Sequence, residues 1–538
     1  MLVAIVLSQP ALAQERYGLV IVIDGARGDL FLENAQRGLM PNVQKTFVDQ
    51  GLWVRKATSV FPTITGAGMP SVLTGCLPGR HGIPSLYFFS RSERAYPVLY
   101  TPLEAIFWDQ WLSPDVKTIW EYFPGRDDAI SIGPAMHRGS DDHISFLWNA
   151  GYKALELRGQ LKLGMRDLKR RILGREPARL SVVYSGWFDH MEHVNGSEGP
   201  DIEAQYRKVD HLIGVSIDSF QKVIERRRQE VGAVESFITL VSDHGHQDVK
   251  EVISIEEHIR EKRGARVLDK IWSRLFGFKL GGWLPKDFSD REIVVASGEG
   301  HALLYLPTPL VDPDTGVVTS LDWDTKPSLE VLRNYPFRNG QIDLIAEATA
   351  SRATGFAMSR DLNTGDVHIF SGSGHSAISR EGTFMKDSTY AYSVLEGEDP
   401  LGYASNPDVI HLVDSGYHDQ RTWYDATIES PFPDAIVQLS QAFDVTKRCP
   451  DIYISAAPYI SIGDLVDGEK SRSKHGGLTV EEAWSTLAFS GDGIEPGMVD
   501  HARIIDMVPS MLHLLDVDYD PNGLDGDVLP ELQMMVNR

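Results

Sequence analysis

The sequence contains very little cysteine. Among its 538 residues only Cys76 and Cys449 carry a thiol, and they lie far apart along the chain. The two could form one disulfide bond in an oxidising compartment, but free cysteines are among the most deeply buried residues of proteins. We therefore expect two buried thiols.

Positive charge is also scarce. The chain has 52 Lys and Arg against 75 Asp and Glu, a net charge of −23 at pH 7. This balance argues against a nucleic-acid polymer or an anionic membrane surface as a partner, because both attract basic surfaces. An anionic small substrate would have to be attracted by local positive charge, for which bound cations are the obvious source.

Long apolar runs are missing. Beyond the N-terminus no run approaches the ~18 apolar residues of a membrane span, so we expect no stable membrane insertion. Residues 1–13 are largely apolar and end in Ala11-Leu12-Ala13, as at the end of a secretory signal peptide cleaved after Ala13. No basic segment precedes them, so either the chain starts late or this segment is an unusual first strand. We expect a periplasmic or secreted protein.

What is present is typical of a globular protein, with 42% hydrophobic and 24% charged residues. A chain of this length exceeds one simple core, so we expect a large domain with an insertion. The predicted division is a core over residues 14–248 and 450–538, interrupted by an inserted α+β cap over residues 249–449.

Three short apolar runs predict strands that are buried on both faces. Residues 19–23, 180–184 and 237–241 show no polar alternation, which is typical of a parallel sheet. A helical pattern over residues 202–224 separates the last two. The fold predicted is α/β, with a mainly parallel central sheet flanked by helices. Alternating segments at 292–306 and 367–370 predict antiparallel strands in the cap, and the run at 451–455 predicts the return to the core.

Acidic and imidazole side chains follow these strands or lie in glycine-containing loops. Each alone fits an ordinary turn, a polar helix face or a solvated loop. Together they are harder to explain that way, because a parallel sheet gathers its strand ends along one edge. Three Asp and three His make two mixed N/O sites, which suit Zn²⁺ better than Mg²⁺ or Ca²⁺, although another divalent ion stays open. The six residues are Asp24, Asp189, His193, Asp243, His244 and His475.

Thr65 stands where a strand gives way to a predicted helix that ends at Gly75. Its hydroxyl could simply cap that helix. However, Gly66 and Gly68 allow the main chain to approach a ligand, and a helix N-terminus favours an anion. A threonine hydroxyl becomes a nucleophile beside a metal ion, and a second ion about 3.5–4 Å away can hold the leaving oxygen.

Several short motifs resemble the alkaline phosphatase superfamily, and its type I phosphodiesterase/nucleotide pyrophosphatase branch most closely. The motifs, in order, are Asp24-Gly-Ala-Arg27, Pro62-Thr-Ile-Thr65, Leu73-Thr-Gly75, Arg80-His-Gly-Ile83, Ser242-Asp-His-Gly245 and His475-Gly476. The resemblance implies an alkaline phosphatase-like fold.

The same resemblance implies two zinc ions and a small phosphorylated substrate. One zinc would bind Asp24, Asp243, His244 and the hydroxyl of Thr65, which is also the nucleophile, and the other would bind Asp189, His193 and His475. The reaction implied is hydrolysis of a phosphate ester through a phosphothreonine intermediate, which zinc-activated water then cleaves.

Two positions depart from the branch. Members that act on nucleotides carry an aromatic residue after the nucleophile, where this chain has Gly66, and an Asn near the position of Leu86. The Gly66 backbone N–H could bind the oxyanion instead. Arg138 and Lys474 are candidate phosphate contacts, although exposed solvated charge would explain both. The aromatic residues 87–89 could replace the lost stacking platform or belong to the core.

Four functions remain open at this stage. A phosphodiesterase is favoured, and a phosphate monoesterase or phosphonate hydrolase of the same superfamily is the nearest alternative. A phosphoryl-group transferase would pass the phosphoryl group to an alcohol instead of water. A binding protein that keeps the metals only for structure is disfavoured, because Thr65 and the six ligands are all present.

Overall fold

The structure is a computed structural model. It describes residues 14–99, 108–125, 128–134, 136–143, 177–255, 259, 267–268, 292–337, 340–445, 448–463 and 471–533. The predicted signal peptide, residues 1–13, lies outside the described residues, as does part of the predicted cap. Within the described residues, no helix has both the length and the apolar character needed to cross a membrane.

A mixed sheet of nine strands forms the centre. In chain order its strands are Glu15–Ile23, Gly51–Thr58, Ala129–Ile132, Asp142–His143, Leu180–Ser185, Val234–Val241, Trp484–Ser485, Leu487–Gly491 and Gly497–Arg503. Glu15–Ile23 lies in the middle and pairs in parallel with Leu180–Ser185 and Val234–Val241. Leu487–Gly491 pairs antiparallel with Val234–Val241. The predicted, mainly parallel sheet is confirmed.

Burial of both faces of the central strand, Glu15–Ile23, explains why residues 19–23 show no alternation of polar and apolar residues. Leu19 and Ile21 point into the core beneath the helices Gly28–Gln36 and Pro200–Val231. Val20 and Val22 point to the opposite face, into the larger core. Both faces are covered, so hydrophobic residues are favoured at every position.

α-Helices connect the strands of this sheet and of the second sheet described below. Those of the described residues are Gly28–Gln36, Pro41–Val43, Thr65–Thr74, Pro78–His81, Trp108–Trp111, Trp187–Asn195, Pro200–Val231, Leu329–Arg333, Leu344–Thr349, Gln420–Thr427, Ala435–Ala442, Val480–Ala483, Met507–Leu514 and Pro530–Gln533. The long helix predicted at 202–224 extends in both directions to Pro200–Val231.

A second sheet of nine strands covers one side of the first. Its strands are Val267–Leu268, Ile293–Ser297, His301–Tyr305, Thr354–Arg360, Val367–Phe370, Gly374–Glu381, Thr389–Gly397, His418–Asp419 and Ile452–Ala456. All strand pairs of this sheet but one are antiparallel among the described residues, as predicted for this part of the chain. Four two-stranded ribbons complete the strands: Thr308–Val311 with Val318–Asp322, Tyr335–Phe337 with Gly340–Ile342, Glu251–Val252 with Ile460–Ser461, and Gln247–Asp248 with Ser473–Lys474.

The sheet predicted for the apolar run at 451–455 is wrong. The run at 451–455, expected to reopen the central sheet, forms Ile452–Ala456 and lies between His301–Tyr305 and Thr354–Arg360 of the second sheet. An apolar run identifies a buried strand but not its neighbours, and both sheets bury their strands. The central sheet resumes only at Trp484–Ser485.

The two sheets share one hydrophobic core. Val20 and Val22 of the central sheet and Val294, Leu303 and Tyr453 of the second sheet all belong to its largest cluster. Cys76 and Cys449 are both buried and free, which confirms the expectation of two buried thiols.

Candidate active site and metal centre

The end of the central strand supplies the first acidic group. Asp24 is almost completely buried, and its backbone N–H donates to the carbonyl of Ser185 at 3.0 Å, at the end of the neighbouring strand. Gly25 follows with φ of 75°, and a Cβ at this position would lie 2.8 Å from Nε2 of His246. Only glycine fits there, and it brings the main chain directly beside the imidazoles.

Thr65 is the first residue of the helix Thr65–Thr74, as predicted. Its Oγ1 lies 3.2 Å from Nε2 of His244 and 3.4 Å from Oδ1 of Asp24. The helix can come this close because Gly68 has no side chain, and a Cβ there would lie 2.6 Å from the carbonyl oxygen of Asp243. Thr65 is half-buried, whereas Asp24, Asp243 and His244 are buried.

Asp24, Asp243 and His244 form a first cluster of potential metal ligands, whose ligand atoms all lie within 4.8 Å of one another. Nε2 of His244 is 3.3 Å from Oδ1 of Asp24 and 3.6 Å from Oδ2 of Asp243. Tyr184 donates a hydrogen bond to the other oxygen of Asp24. Burial and the nearby Asp24 raise the pKa of Asp243 well above its usual range.

A second cluster forms around Asp189, which lies in the first turn of the helix Trp187–Asn195. His193 is one turn further along the same face, with Nε2 3.4 Å from Oδ1 of Asp189. Nε2 of His475 lies 3.5 Å from the same oxygen. All three residues of the predicted second site therefore meet.

Hydrogen bonds fix which nitrogen of each ring faces Asp189. Nδ1 of His193 lies 3.1 Å from the backbone carbonyl of Ser473, and Nδ1 of His475 lies 3.2 Å from that of Thr63. A carbonyl only accepts, so each Nδ1 donates a proton to it, and Nε2 is the ring nitrogen that faces Asp189. This is the arrangement in which histidine binds a metal.

The two clusters lie side by side. The rings of His244 and His475, one from each cluster, stack with centroids 4.0 Å apart and planes inclined by 18°. Burial together with His244 and His246 lowers the pKa of His475 well below its usual range. A neutral imidazole beside buried carboxylates is a donor set suited to divalent cations.

The donor chemistry of these residues fits metal ions. Oδ2 of Asp243 is buried without a hydrogen-bond partner among the described residues. An unpaired buried carboxylate oxygen is costly unless a cation compensates it. The clusters combine imidazole nitrogen with carboxylate oxygen, the mixture that Zn²⁺ accepts most readily.

Comparison with known families agrees with this geometry. The model of the family described as type I phosphodiesterase / nucleotide pyrophosphatase matches residues 19–295, just over half of the chain. The chain belongs to this family.

Individual relatives are more distant. An uncharacterized pyrophosphatase/phosphodiesterase of the fission yeast Schizosaccharomyces pombe is 25% identical over 214 residues, which are 38% of this chain and 41% of that protein. Murine ectonucleotide pyrophosphatase / phosphodiesterase 5 matches 97% of this chain and 100% of its own, with a TM-score of 0.54 and 14% identity. An inactive form of that mouse protein in complex with AMP gives a TM-score of 0.53 at 14% identity. The mouse structures share the fold.

One of the two departures, glycine at position 66, has a structural explanation. A Cβ on Gly66 would lie 2.1 Å from the backbone nitrogen of Leu86, so the chain at 85–86 occupies the space that an aromatic side chain would need. Two of the aromatic residues 87–89 are not available as a stacking platform for a base. Phe88 and Phe89 are fully buried, and Phe89 packs edge-on against Tyr305.

The two predicted phosphate contacts are engaged elsewhere. Lys474 is fully buried and its Nζ lies 3.1 Å from Oε1 of Glu482. Arg138 lies 3.0 Å from Glu121 and also donates to the carbonyls of Ser113 and Val116. Neither side chain is an exposed, solvated charge. Both have partners within the protein, and a phosphate group would have to displace these partners to bind.

Sequence reasoning missed His246. Its Nε2 lies 2.9 Å from Oδ1 of Asp189, and its ring is fully buried. Burial lowers the pKa of His246 to about 4, so the ring is neutral at pH 7. The signal was available, because His246 follows Asp243 and His244 in the same loop, but the loop was assigned to the first metal only.

Glu482 holds the loop that carries His475. Its carboxylate accepts from Nζ of Lys474 at 3.1 Å, from the N–H of Gly477 at 3.0 Å and from Oγ1 of Thr479 at 2.8 Å. Both ends of the Lys474–Glu482 pair are buried. The pair therefore fixes the loop that carries His475, a candidate metal ligand.

Glu482→Gln should destabilise the fold by about 3–5 kcal/mol of unfolding free energy, because it leaves the buried Lys474 ammonium unpaired. Urea unfolding of the variant measures this change. The matched double variant Lys474→Met/Glu482→Gln removes both charges and should recover most of the loss. If Lys474→Met instead raised KM without affecting stability, Lys474 would be a substrate contact.

Proposed function

We propose that this family member is a phosphodiesterase with two metal ions and Thr65 as its nucleophile. The observation that carries the proposal is the position of Thr65 Oγ1, which lies 3.2 Å from Nε2 of His244 and 3.4 Å from Oδ1 of Asp24, in a residue that is only half-buried. A hydroxyl that only capped its helix would not need to meet a buried imidazole and a buried carboxylate of two different strand ends.

In this proposal Asp24, Asp243 and His244 hold the first ion, and Asp189, His193 and His475 hold the second. The ions, with Zn²⁺ favoured, would favour the alkoxide form of the Thr65 hydroxyl and neutralise charge on the phosphoryl group. They would also reverse the local field of a chain whose net charge is −23.

The chain's own groups then account for the reaction. Oγ1 of Thr65 attacks phosphorus, the bond to the leaving alcohol breaks, and a phosphothreonine forms. Water attacks the same phosphorus in the second step and restores the hydroxyl. Thr65 starts a helix, and the N–H groups of Ala67 and Gly68 in its first turn donate to the carbonyl of Ile64 at 2.8 Å. The N–H of Gly66 is the group that would bind a phosphoryl oxygen.

Two observations favour diesters over monoesters. A monoester carries more negative charge on its terminal oxygens, and the cations considered for that task, Arg138 and Lys474, are bound to Glu121 and Glu482. The mouse relative of similar fold was solved with AMP, which is the kind of monoester that cleavage of a nucleotide diester releases.

A pair of matched substrates tests the proposal. We expect kcat/KM for bis(4-nitrophenyl) phosphate to exceed that for 4-nitrophenyl phosphate by at least ~10-fold, or about 1.4 kcal/mol of transition-state stabilisation. A strong preference for the monoester would indicate a phosphatase instead. Addition of glycerol identifies a transferase, because the phosphoryl group would then appear on glycerol and not on water.

A further inference from the structure

Thr63 lies two residues before Thr65 and is hydrogen-bonded to the loop that carries His475. The N–H of Gly476 donates to Oγ1 of Thr63 at 2.9 Å, and this hydroxyl donates in turn to the carbonyl of Gly477, also at 2.9 Å. The backbone carbonyl of Thr63 accepts from Nδ1 of His475 at 3.2 Å. One residue therefore binds three consecutive residues that are at least 412 positions away in the chain.

These hydrogen bonds are buried. The side chain of Thr63 is almost completely buried, and Gly476 and Gly477 are buried as well. The hydroxyl acts as acceptor and donor at once, so neither glycine leaves a polar group unpaired at this contact. A buried N–H or carbonyl that loses its partner is costly, which favours a single arrangement of the two segments. The Thr63 hydroxyl therefore holds the loop of His475 against the segment that precedes Thr65.

His475 is central to the candidate metal centre. Among the described residues it belongs to two groups of potential metal ligands, one of which includes Asp189. The other includes His193 and Glu299. A hydrogen bond to the opposite ring nitrogen orients a ligating imidazole, and the carbonyl of Thr63 accepts this bond. A shift of Thr63 would therefore move a ligand that both groups share.

Thr63 is also firmly connected to the proposed nucleophile. Only Ile64 separates it from Thr65, and two residues span at most about 7 Å of chain. Ile64 is buried, and its carbonyl accepts from the N–H groups of Ala67 and Gly68 at 2.8 Å. The segment is thus fixed to the start of the helix, and a shift of Thr63 would reach Thr65 as well.

We propose that Thr63 is a positioning residue that sets the distance between the hydroxyl of Thr65 and a metal ion bound to His475. This inference rests on the proposed function insofar as Thr65 and the second metal act on the same phosphoryl group. Groups that act on one phosphorus must keep a fixed separation, and a misplacement of about 1 Å can cost ~10²-fold in rate. Thr63 acts through these two residues and not through contact with the substrate.

Thr63→Val removes the hydroxyl and keeps the branched side chain. The N–H of Gly476 and the carbonyl of Gly477 lose their partner, so the loop of His475 is released. We expect one of two Zn²⁺ equivalents to bind about 10–100-fold more weakly, the range found when a group that orients a ligand is lost. Competition with a chromophoric chelator measures both affinities. The kcat for bis(4-nitrophenyl) phosphate should fall by about 10²-fold, whereas KM should change little.

Thr74→Val is the matched control at the other end of the same helix. Oγ1 of Thr74 is also buried, donates to the carbonyl of Pro70 at 2.7 Å and accepts from the N–H of Cys76 at 3.3 Å. Its loss should lower the urea midpoint as Thr63→Val does, but both Zn²⁺ affinities and kcat should match the wild type. If Thr63 were merely structural, the two variants would behave alike.

Thr63→Ser and Thr63→Ala form a second pair that differs only in the hydroxyl, and this pair also serves if valine prevents folding. The serine variant should bind both equivalents like the wild type and retain turnover, whereas the alanine variant should show the losses expected for valine. Wild-type affinity for both equivalents in Thr63→Ala would overturn the inference, whatever its turnover.

The affinities are measured without substrate, which separates this inference from the proposed function. A wild type that binds two ions but cleaves no diester would refute the proposed function, while the effect of Thr63 on metal binding could still be measured. A wild type that binds no ion would refute both proposals.

Discussion

Thr65→Ala should lose turnover of a phosphodiester by about 10⁴–10⁶-fold, the range found when a protease loses a member of its nucleophilic machinery. The reason is that Oγ1 of Thr65 is the atom within hydrogen-bond reach of both Asp24 and His244. Metal content should stay near that of the wild type, because the six predicted ligands remain. Elemental analysis and initial rates, measured on the same preparation, check both parts.

Two further variants separate the loss of the nucleophile from a change of shape. Thr65→Val keeps the branched side chain that packs at the helix start and should be as inactive as Thr65→Ala. Thr65→Ser keeps the hydroxyl and should retain turnover. Acid quenching with phosphorus-labelled substrate should trap label on the wild type and on Thr65→Ser alone. Turnover in Thr65→Val would show that another group attacks the phosphorus.

Residues that follow strands were the most predictable part of this site. Asp24 directly follows the strand Glu15–Ile23, and Asp243 lies two residues beyond the strand Val234–Val241. Both strands end in mostly apolar runs without regular alternation, which is typical of a parallel sheet. In a parallel sheet the carboxyl ends meet at one edge, so the two carboxylates had to be close. Thr65 was predictable for a similar reason, since the glycines around it indicate a close main-chain approach.

Contacts made through the chain's long connections could not be predicted in this way. Lys474 is charged and stands next to His475, which suggests a role with phosphate, but its partner Glu482 is set by the turn between them. Glu299, whose Oε2 lies 3.2 Å from Nδ1 of His193, comes from a loop of the second sheet. The sheet that contains the strand Ile452–Ala456 could not be predicted for the same reason. Its partner strands, His301–Tyr305 and Thr354–Arg360, are distant in sequence.

Gly66 illustrates how one position links fold and specificity. The chain has glycine at the position where the resemblance predicts an aromatic residue, and in the structure the backbone of residues 85–86 fills the space of such a side chain. A substitution to Phe at this position would therefore clash with main chain before it could stack on a base. The binding site for the rest of the substrate must be formed by other residues than the one after the nucleophile.

Removal of the metals should abolish turnover and destabilise the fold. Free metal at about 1,000 times its dissociation constant stabilises a folded protein by ~4.1 kcal/mol, so dialysis against a chelator should lower the free energy of unfolding by about that amount. The physical cause is the return of repulsion among buried carboxylates, since Asp243 has an unpaired oxygen and Asp24 as a neighbour. Urea unfolding with and without added Zn²⁺ measures the difference, and an unchanged midpoint would mean that neither cluster binds metal in solution.

The variant Asp243→Asn tests the effect of metal removal on stability at the first cluster alone. The raised pKa of Asp243 means that its ionised form is disfavoured in the metal-free fold, so a neutral amide of the same shape should make the metal-free protein more stable than the metal-free wild type. The same variant should gain less stability from Zn²⁺ and lose turnover, because a ligand and its charge are gone. Asp218→Asn, on the exposed face of the long helix, is the matched control and should alter neither quantity. A metal-free Asp243→Asn protein that is less stable than the metal-free wild type would show that Asp243 supports the fold and is not held in place for a cation.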